Sequence, residues 1–297
     1  DPSSALPSLK ISTLDTRHLN DAQGLSEFEN AFLILSDQLD PQQPGAMMAV
    51  LWVERSGQRP LLALAIHHFA IDGVSWRILL EDLSALTQSD HAILAARTMP
   101  IRTWSQVLVD QGTQGARRRE ESFWLSQIKD ITPLCKNTII TESENTLGAA
   151  RHCTGKLNAQ ETQLLLRAPS SYRASINDVL LTALGLAICD WTSEEFKQNL
   201  HQPVIALEGH GREMDVDLSR SVGWFTSIFP FKLEVERAQK HESENIDLTL
   251  KAIKESLRAM PDKGIGYGVL RYLDADSQLS KNVYPEPEIC FNYLGRL

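Results

Sequence analysis

The sequence has no long hydrophobic run, although 42% of its 297 residues are hydrophobic. No stretch approaches the roughly 20 apolar residues that a membrane-spanning helix needs. The first ten residues, DPSSALPSLK, contain no basic region followed by an apolar one, so no secretory signal is visible. We therefore predict a soluble chain that makes no membrane contact, with a cytoplasmic location as the default.

Cysteine is scarce, and the few cysteines are widely scattered. They form no CxxC pair, and no Cys/His spacing suits a zinc site. This pattern predicts reduced thiols and no metal centre. The four cysteines are Cys135, Cys153, Cys189 and Cys290.

The chain also lacks an excess of positive charge, because its formal net charge is -9. This charge argues against binding to a nucleic-acid backbone, which requires clustered lysine and arginine. The one basic run, Arg117 to Arg119, is followed at once by Glu120 and Glu121. We interpret this run as a solvated helix face.

The most informative segment is HHFAIDGVSW, at residues 67–76. It follows the short apolar run LLALAI, from Leu61 to Ile66, which predicts a buried strand. Gly73 then predicts a turn, with a helix beginning near Val74. A strand that ends in polar, reactive side chains is typical of a functional site.

The two histidines of this segment are not equivalent. Side chains alternate along a strand, so His67 and His68 point to opposite faces unless the strand breaks between them. One is predicted to be reactive and the other structural, although a lone histidine beside an apolar strand is as often a hydrogen-bonded core residue. Asp72 fits a structural role, fixing the turn or holding a cation.

Helical patterns follow in both halves of the chain. Apolar spacing predicts an amphipathic helix over Trp76–Leu86 and another that ends before Pro261. Ser175, followed three residues later by Asp178, resembles a capping box ahead of the apolar run VLLTALGLAI. The sequence is polar and irregular from Lys129 to Thr154, so we place a boundary between two lobes near the end of that stretch.

A second strand ends in polar residues in the later half. The apolar run from Pro203 to Leu207 leads into EGHGRE, at residues 208–213. His68 and Glu208 would form an acid/base pair if the two halves of the chain faced one another. Residue spacing alone leaves that arrangement open.

The segment HHFAIDGVSW resembles the HHxxxDG signature of the condensation superfamily in nonribosomal peptide synthetases. Further motifs resemble, in the expected order, those of the epimerization domain: EGHGRE at 208–213, VGWFTSIFP at 222–230, PDKGIGYG at 261–268 and FNYLG at 291–295. The resemblance implies an α/β, two-lobed chloramphenicol-acetyltransferase-like fold with mixed sheets, flanking helices and an active-site tunnel between the lobes. The predicted lobes are residues 1–154 and 155–297, each incomplete, since the family's early PIQ-type motif and its final strand and helix are not seen.

The resemblance implies inversion of an L-residue to the D-form at Cα. The residue would be aminoacyl or peptidyl, held as a thioester on the phosphopantetheine arm of a peptidyl carrier protein beside neighbouring synthetase domains. No intrinsic cofactor is implied. Removal of the Cα proton leaves an enolate, and inversion returns a proton to the opposite face, so two flanking groups are needed.

The family's motifs assign roles to individual positions of this chain. His68 and Glu208 match the catalytic pair, and which of them is the base toward the L-form is open. Asn292 and Tyr293 match the site-lining Asn-Tyr pair. We expect Arg212 and Asp72 to hold an ion pair that shapes the site. The supporting positions within the histidine segment are His67, Gly73 and Ser75.

Two other functions compete with epimerization. A condensation domain would use the same histidine motif to join two carrier-bound substrates, although EGHGRE and VGWFT favour epimerization. A non-catalytic remnant would keep the fold and the surface that meets the carrier protein.

The glycine-rich stretch Gly264–Gly268 could be mistaken for a phosphate loop, but without a preceding strand it indicates a tight turn.

Overall fold

The structure is a computed structural model, and it describes most of the chain. The described residues are 10–89, 91–129, 131–134, 143–197, 200–212, 216–236 and 242–295. Cys135, and Glu213 at the end of EGHGRE, lie outside them.

The described residues group into two compact units. Unit 1 holds those up to Trp104 together with 216–225, and unit 2 holds those within 105–215 and 226–297. The lobe boundary predicted from the sequence is 154/155, whereas the chain passes from one compact unit to the other at 104/105, 215/216 and 225/226. The difference arises because segment 216–225 packs with residues more than 100 positions earlier, and such contacts leave no periodic signal in a sequence.

Unit 1 is an α/β unit whose elements are β1 (Ile11–Asp15), α1 (Asp21–Ser36), β2 (Met48–Glu54), β3 (Leu61–Ile66) and α2 (Gly73–Gln88). In the described part, β2 lies between a parallel β1 and an antiparallel β3. The predicted strand over LLALAI is confirmed with the same limits.

Helix α2 starts at Gly73, one residue before the predicted start near Val74. The Asp72 side chain accepts a hydrogen bond from the Ser75 backbone N–H at 2.7 Å. Such a cap satisfies a backbone donor that the first helical turn leaves free. The turn after β3 therefore leads directly into the helix.

Helix α3 (Ile101–Thr113) begins in unit 1 and continues in unit 2. The later elements, all in unit 2, are α4 (Glu121–Ile128), α5 (Ala159–Ser171), α6 (Ile176–Phe196), β4 (Val204–Gly209), β5 (Ser227–Lys232), α7 (Glu242–Ala259), α8 (Ile265–Gly268), α9 (Gln278–Lys281) and β6 (Cys290–Phe291). Strand β4 pairs antiparallel with β5 and parallel with β6.

The core of unit 2 packs one face of the β4/β5 ladder against the surrounding helices. The predicted capping box at the start of α6 is confirmed, since Asp178 N–H donates to Ser175 Oγ at 3.2 Å and Ser175 N–H donates to Asp178 Oδ2 at 2.6 Å. Helix α7 ends before Pro261, as predicted. Side chains that are almost wholly buried in this core include Trp124, Leu181, Ile205, Phe231, Leu233 and Ile253.

The basic run at 117–119 is a solvated face only in part, because Arg118 and Arg119 are exposed whereas Arg117 is buried. Arg117 is 5% exposed, and its guanidinium pairs with Glu120 at 2.8 Å and with Asp262. Arg118 pairs with Asp274 at 2.8 Å, and this hydrogen bond lowers the pKa of the Asp274 carboxyl. The carboxylates at 262 and 274 are about 150 positions away, so the sequence pattern showed only the neighbouring glutamates.

In the part of the chain that the structure describes, no single helix is long and apolar enough to cross a membrane. The bent pair α5 and α6 meets the same criteria jointly, by length and composition only. Among the described cysteines, Cys153, Cys189 and Cys290 are free thiols.

We expect Leu181→Ala to lower the free energy of unfolding by about 2–5 kcal/mol, because truncation of a fully buried leucine leaves a cavity. Urea denaturation followed by circular dichroism measures the change. Leu164→Ala, at a side chain that is 62% exposed, is the matched control and should shift the value by no more than about 0.5 kcal/mol. Equal losses in the two variants would contradict the packing described for α6.

Candidate functional site

The end of strand β3 gives its two histidines different environments. The backbone N–H of His67 donates to Met47 O at 2.8 Å, and His67 Nδ1 accepts from the Phe69 N–H at 3.2 Å. His67 thereby caps the short 3₁₀ turn at residues 68–70. His68 is exposed, so its imidazole is accessible to a reacting molecule.

An aromatic surface lies beside His68. The ring of Trp224 is 5.1 Å from the His68 ring and 5.4 Å from the Phe69 ring, measured between centroids. Phe69 and Trp224 stack with an interplanar angle of 16° and stay partly exposed. Trp224 comes from the VGWFTSIFP motif, so two distant motifs meet within unit 1.

Asp72 and Ser75 hold this second motif in place. The Phe225 N–H donates to Asp72 Oδ2 at 3.1 Å, while Ser75 Oγ donates to Gly223 O at 3.0 Å and accepts from Gly223 N–H at 3.1 Å. Both Asp72 and Ser75 are buried. These bonds fix the backbone on either side of Trp224, which is why its ring lies against His68.

Gly73 is the first residue of α2, and it is exposed. A Cβ added there would meet no described atom within 4 Å, and the residue has no positive φ. Neither crowding nor backbone conformation therefore requires glycine at this position.

In unit 2, strand β4 places Glu208 on the face opposite the core. Ile205 and Leu207 are buried, and alternation turns Glu208 the other way. Its partner on β5, Ile228, is 49% exposed, so this face is open. Glu208 lines a cavity of about 750 Å³.

Strand β6 brings the FNYLG motif to the same cavity. Cys290 pairs with Ala206 on β4, so its side chain shares the face of Glu208, and its Sγ lies 3.7 Å from Glu208 Oε1. Asn292 and Tyr293 follow and line the cavity with Glu208. Three of the predicted site residues therefore lie around one cavity.

The neighbourhood of Glu208 changes the acidity of Cys290. Burial raises the pKa of the Cys290 thiol, and the nearby Glu208 carboxylate raises it further, first by its charge and then by accepting a hydrogen bond. A raised thiol pKa keeps the sulfur protonated at neutral pH. The thiol is thus a hydrogen-bond donor to Glu208 and a poor nucleophile.

Sequence reasoning missed four cationic residues on the wall of the cavity. Lys263 belongs to the PDKGIGYG motif, which matched the family without a role for its lysine, and helix α7 was predicted from its apolar spacing alone. The positive charges of these residues are visible in the sequence, but only the fold places them on the wall of the cavity. The four residues are Arg173, Lys254, Arg258 and Lys263.

The other predicted site residues stand as follows. Arg212 is half-buried in the loop after β4, and its ion pair with Asp72 stays a prediction because the two residues belong to different units. Within the described residues, no group of three or more His, Cys, Asp or Glu side chains is arranged to hold a metal ion.

The mixed α/β fold with an HHxxxDG turn directly after strand β3 is the fold of condensation-type domains. The sequence profile of the condensation domain family matches residues 7–296. The chain belongs to the condensation domain family, and it is an enzyme domain of the nonribosomal peptide synthetase type. The predicted two-lobed α/β fold class is thereby confirmed.

Individual relatives show further similarity. One of the linear gramicidin synthase proteins of Brevibacillus parabrevis is 42% identical over 263 residues, which are 85% of this chain and 3% of that protein. The crystal structure of the epimerization domain from the third module of tyrocidine synthetase B is 33% identical with a TM-score of 0.77, over 96% of this chain and 64% of that one. The condensation domain of the Monacolin K polyketide synthase MokA is 14% identical with a TM-score of 0.64, and the match covers 90% of this chain and 58% of that one. At this identity the likeness shows the fold alone.

We expect Asp72→Ala to destabilise the protein by about 2–4 kcal/mol, since it removes a helix cap and leaves a buried backbone donor without its acceptor. Thermal and urea unfolding measure the loss. Asp72→Asn keeps one carbonyl oxygen as an acceptor and should lose less. If the alanine variant were as stable as the parent protein, Asp72 would not hold segment 216–225.

We expect Glu208→Gln to lower the pKa of Cys290 toward its ordinary value, because the variant loses the negative charge that disfavours the thiolate. Iodoacetamide labelling of Cys290 at fixed pH should then be faster, and its rate–pH profile should move to lower pH. Peptide mass spectrometry resolves this residue from Cys153. Glu286→Gln is the control, and an unchanged profile in Glu208→Gln would contradict the contact.

Proposed function

We propose that the domain epimerizes, from L to D at Cα, an aminoacyl or peptidyl residue held as a phosphopantetheine thioester on a carrier protein. The partners in this proposal are a peptidyl carrier protein and neighbouring synthetase domains, in a cytoplasmic assembly without nucleic acid or membrane. The reaction proposed for the site needs no cofactor, because the thioester carbonyl itself delocalises the charge left at Cα.

The observation that carries the proposal is the likeness to an epimerization domain at 33% identity across 96% of this chain. The motifs EGHGRE and VGWFT also favour an epimerization domain over a condensation domain. The condensation domain at 14% identity supports only the fold. Epimerization is therefore favoured over peptide-bond formation.

The chemistry of the cavity agrees with proton transfer at carbon. Glu208 presents a half-buried carboxylate to a space of about 750 Å³, which is large enough for a thioester and its side chain. A positioned carboxylate is a common general acid or base, and such catalysis supplies roughly 10²- to 10⁴-fold in rate. The Cys290 thiol restrains this carboxylate without competing as a nucleophile.

His68 is the second proposed proton-transfer group. Its imidazole is exposed and supported by Trp224, and imidazole is the side chain most often used for such transfers. An enolate is planar, so inversion needs one group to remove a proton and another to return one to the opposite face. Which of His68 and Glu208 acts first on the L-form is open.

The enolate oxygen also needs stabilisation beyond proton transfer. Asn292 lines the cavity, and its side-chain amide is a neutral hydrogen-bond donor of the kind used in oxyanion sites. Tyr293 lines the same space and supplies a hydroxyl. Both residues are assigned this role as part of the proposal.

The test uses the protein with its cognate carrier loaded with an L-aminoacyl thioester deuterated at Cα. We expect loss of deuterium and approach to a D/L mixture after thioester cleavage. His68→Gln and Glu208→Gln should each lower the inversion rate by about 10²- to 10⁴-fold with carrier binding unchanged. His201→Gln, at an exposed histidine, is the matched control.

Other outcomes decide between the alternatives. Retained deuterium and unchanged chirality, with peptide formed when an acceptor carrier is added, would establish condensation instead. No reaction of either kind would favour a non-catalytic domain. Full inversion activity in both variants would overturn the assignment of His68 and Glu208.

A further inference from the structure

The wall of the cavity carries more positive than negative charge, although the chain as a whole is acidic. Four lysine and arginine residues line it, against the two carboxylates Asp178 and Glu208. Asp178 is buried in the capping box of α6, where the Ser175 N–H donates to it. Glu208 is therefore the acid that faces this group of cations.

Two of these cations are engaged in holding a turn. Lys254 Nζ donates to Tyr172 O at 3.2 Å, and Arg258 Nη2 donates to Arg173 O at 3.1 Å. Both also lie near Glu255, at 3.5 and 3.1 Å. Lys254 and Arg258 thus secure the junction of α5 and α6 against α7.

Lys263 is different, because its exposed ammonium makes no hydrogen bond or ion pair within the described residues. Its backbone is close to the catalytic strand: its carbonyl oxygen would lie 3.4 Å from a Cβ added to Gly209, the residue after Glu208. Lys263 and Glu208 therefore line one end of the same cavity.

The turn that carries Lys263 is strained. Asp262, Lys263 and Gly264 have φ values of 38°, 50° and 95°, a left-handed run that non-glycine residues rarely adopt. Such conformations persist only where the surroundings impose them, and they cluster at functional sites.

Two contacts impose the conformation. Asp262 pairs with Arg117, which is buried and also paired with Glu120. Gly264 lies flat against the ring of Phe229, where a Cβ would overlap the ring atoms. The turn is thus fixed from both sides, and the backbone of Lys263 between them is held at the wall of the cavity.

We propose that Lys263 stabilises the negative charge that develops on the thioester oxygen when the Cα proton is removed. This inference rests on the proposed epimerization. A cation beside a developing oxyanion acts mainly in the transition state, because the neutral thioester gains little from it. Lys263 then contributes to turnover rather than to substrate binding.

The principal variant is Lys263→Gly, since glycine adopts a φ of 50° more readily than lysine and the fold is not put at risk. In the deuterium-loss assay, kcat should fall by about 10²- to 10³-fold with KM nearly unchanged. Lys263→Arg should restore part of the rate. Lys197→Gly is the matched control, an exposed lysine with a φ of 53° that does not line the cavity, and it should keep full activity.

A binding measurement separates this inference from the proposed function. The probes are N-acetylalanine, whose carboxylate carries charge where the enolate oxygen would, and its neutral amide, titrated by NMR. The parent protein should prefer the carboxylate, and Lys263→Gly should lose that preference. If Lys263→Gly keeps the kcat of the parent protein, or keeps its preference for the carboxylate, the role of Lys263 is overturned. If the parent protein prefers the carboxylate but shows no loss of deuterium, epimerization alone is overturned.

Discussion

The two-residue alternation of strand β4 is the constraint on which the candidate site depends. Ile205 and Leu207 must face the core, because burial of such side chains contributes about 1.5–3 kcal/mol each. A register shift of one residue would expose them, so the register is strongly fixed. Glu208 is consequently turned to the face that it shares with Cys290, at the end of β4 where Leu207 and Glu208 both line the cavity, and β6 leads Asn292 to the same cavity.

In unit 1 the corresponding constraint is hydrogen bonding over a long sequence separation. The buried side chains of Asp72 and Ser75 bind the backbone at Gly223 and Phe225, about 150 positions later. Their polar groups would be costly to bury without these partners. The HHxxxDG segment therefore carries the histidine of the proposed proton transfer and also anchors the aromatic ring beside that histidine.

Buried charge is the feature that most changes the interpretation of this chain. Arg117 and Glu120 belong to a run of basic and acidic residues that resembles a solvated surface, yet both are buried. They acquire their role from Asp262, which belongs to a glycine-rich turn far along the chain. The same turn holds the backbone of Lys263 at the wall of the cavity, so a structural ion pair and a proposed catalytic cation belong to one arrangement.

The sequence by itself determined what depends on local pattern: strand β3, the capping box of α6, the end of α7 before Pro261, and the motifs that carry His68, Glu208 and Asn292. These signals lie within a few residues of one another, where backbone geometry and side-chain periodicity act directly. Only the tertiary structure decided which residues share a surface: Trp224 beside His68, Cys290 against Glu208, and Asp262 paired with Arg117. The physical reason is that these contacts join residues 80 to 160 positions apart, and a sequence carries no period that records which distant segments pack together.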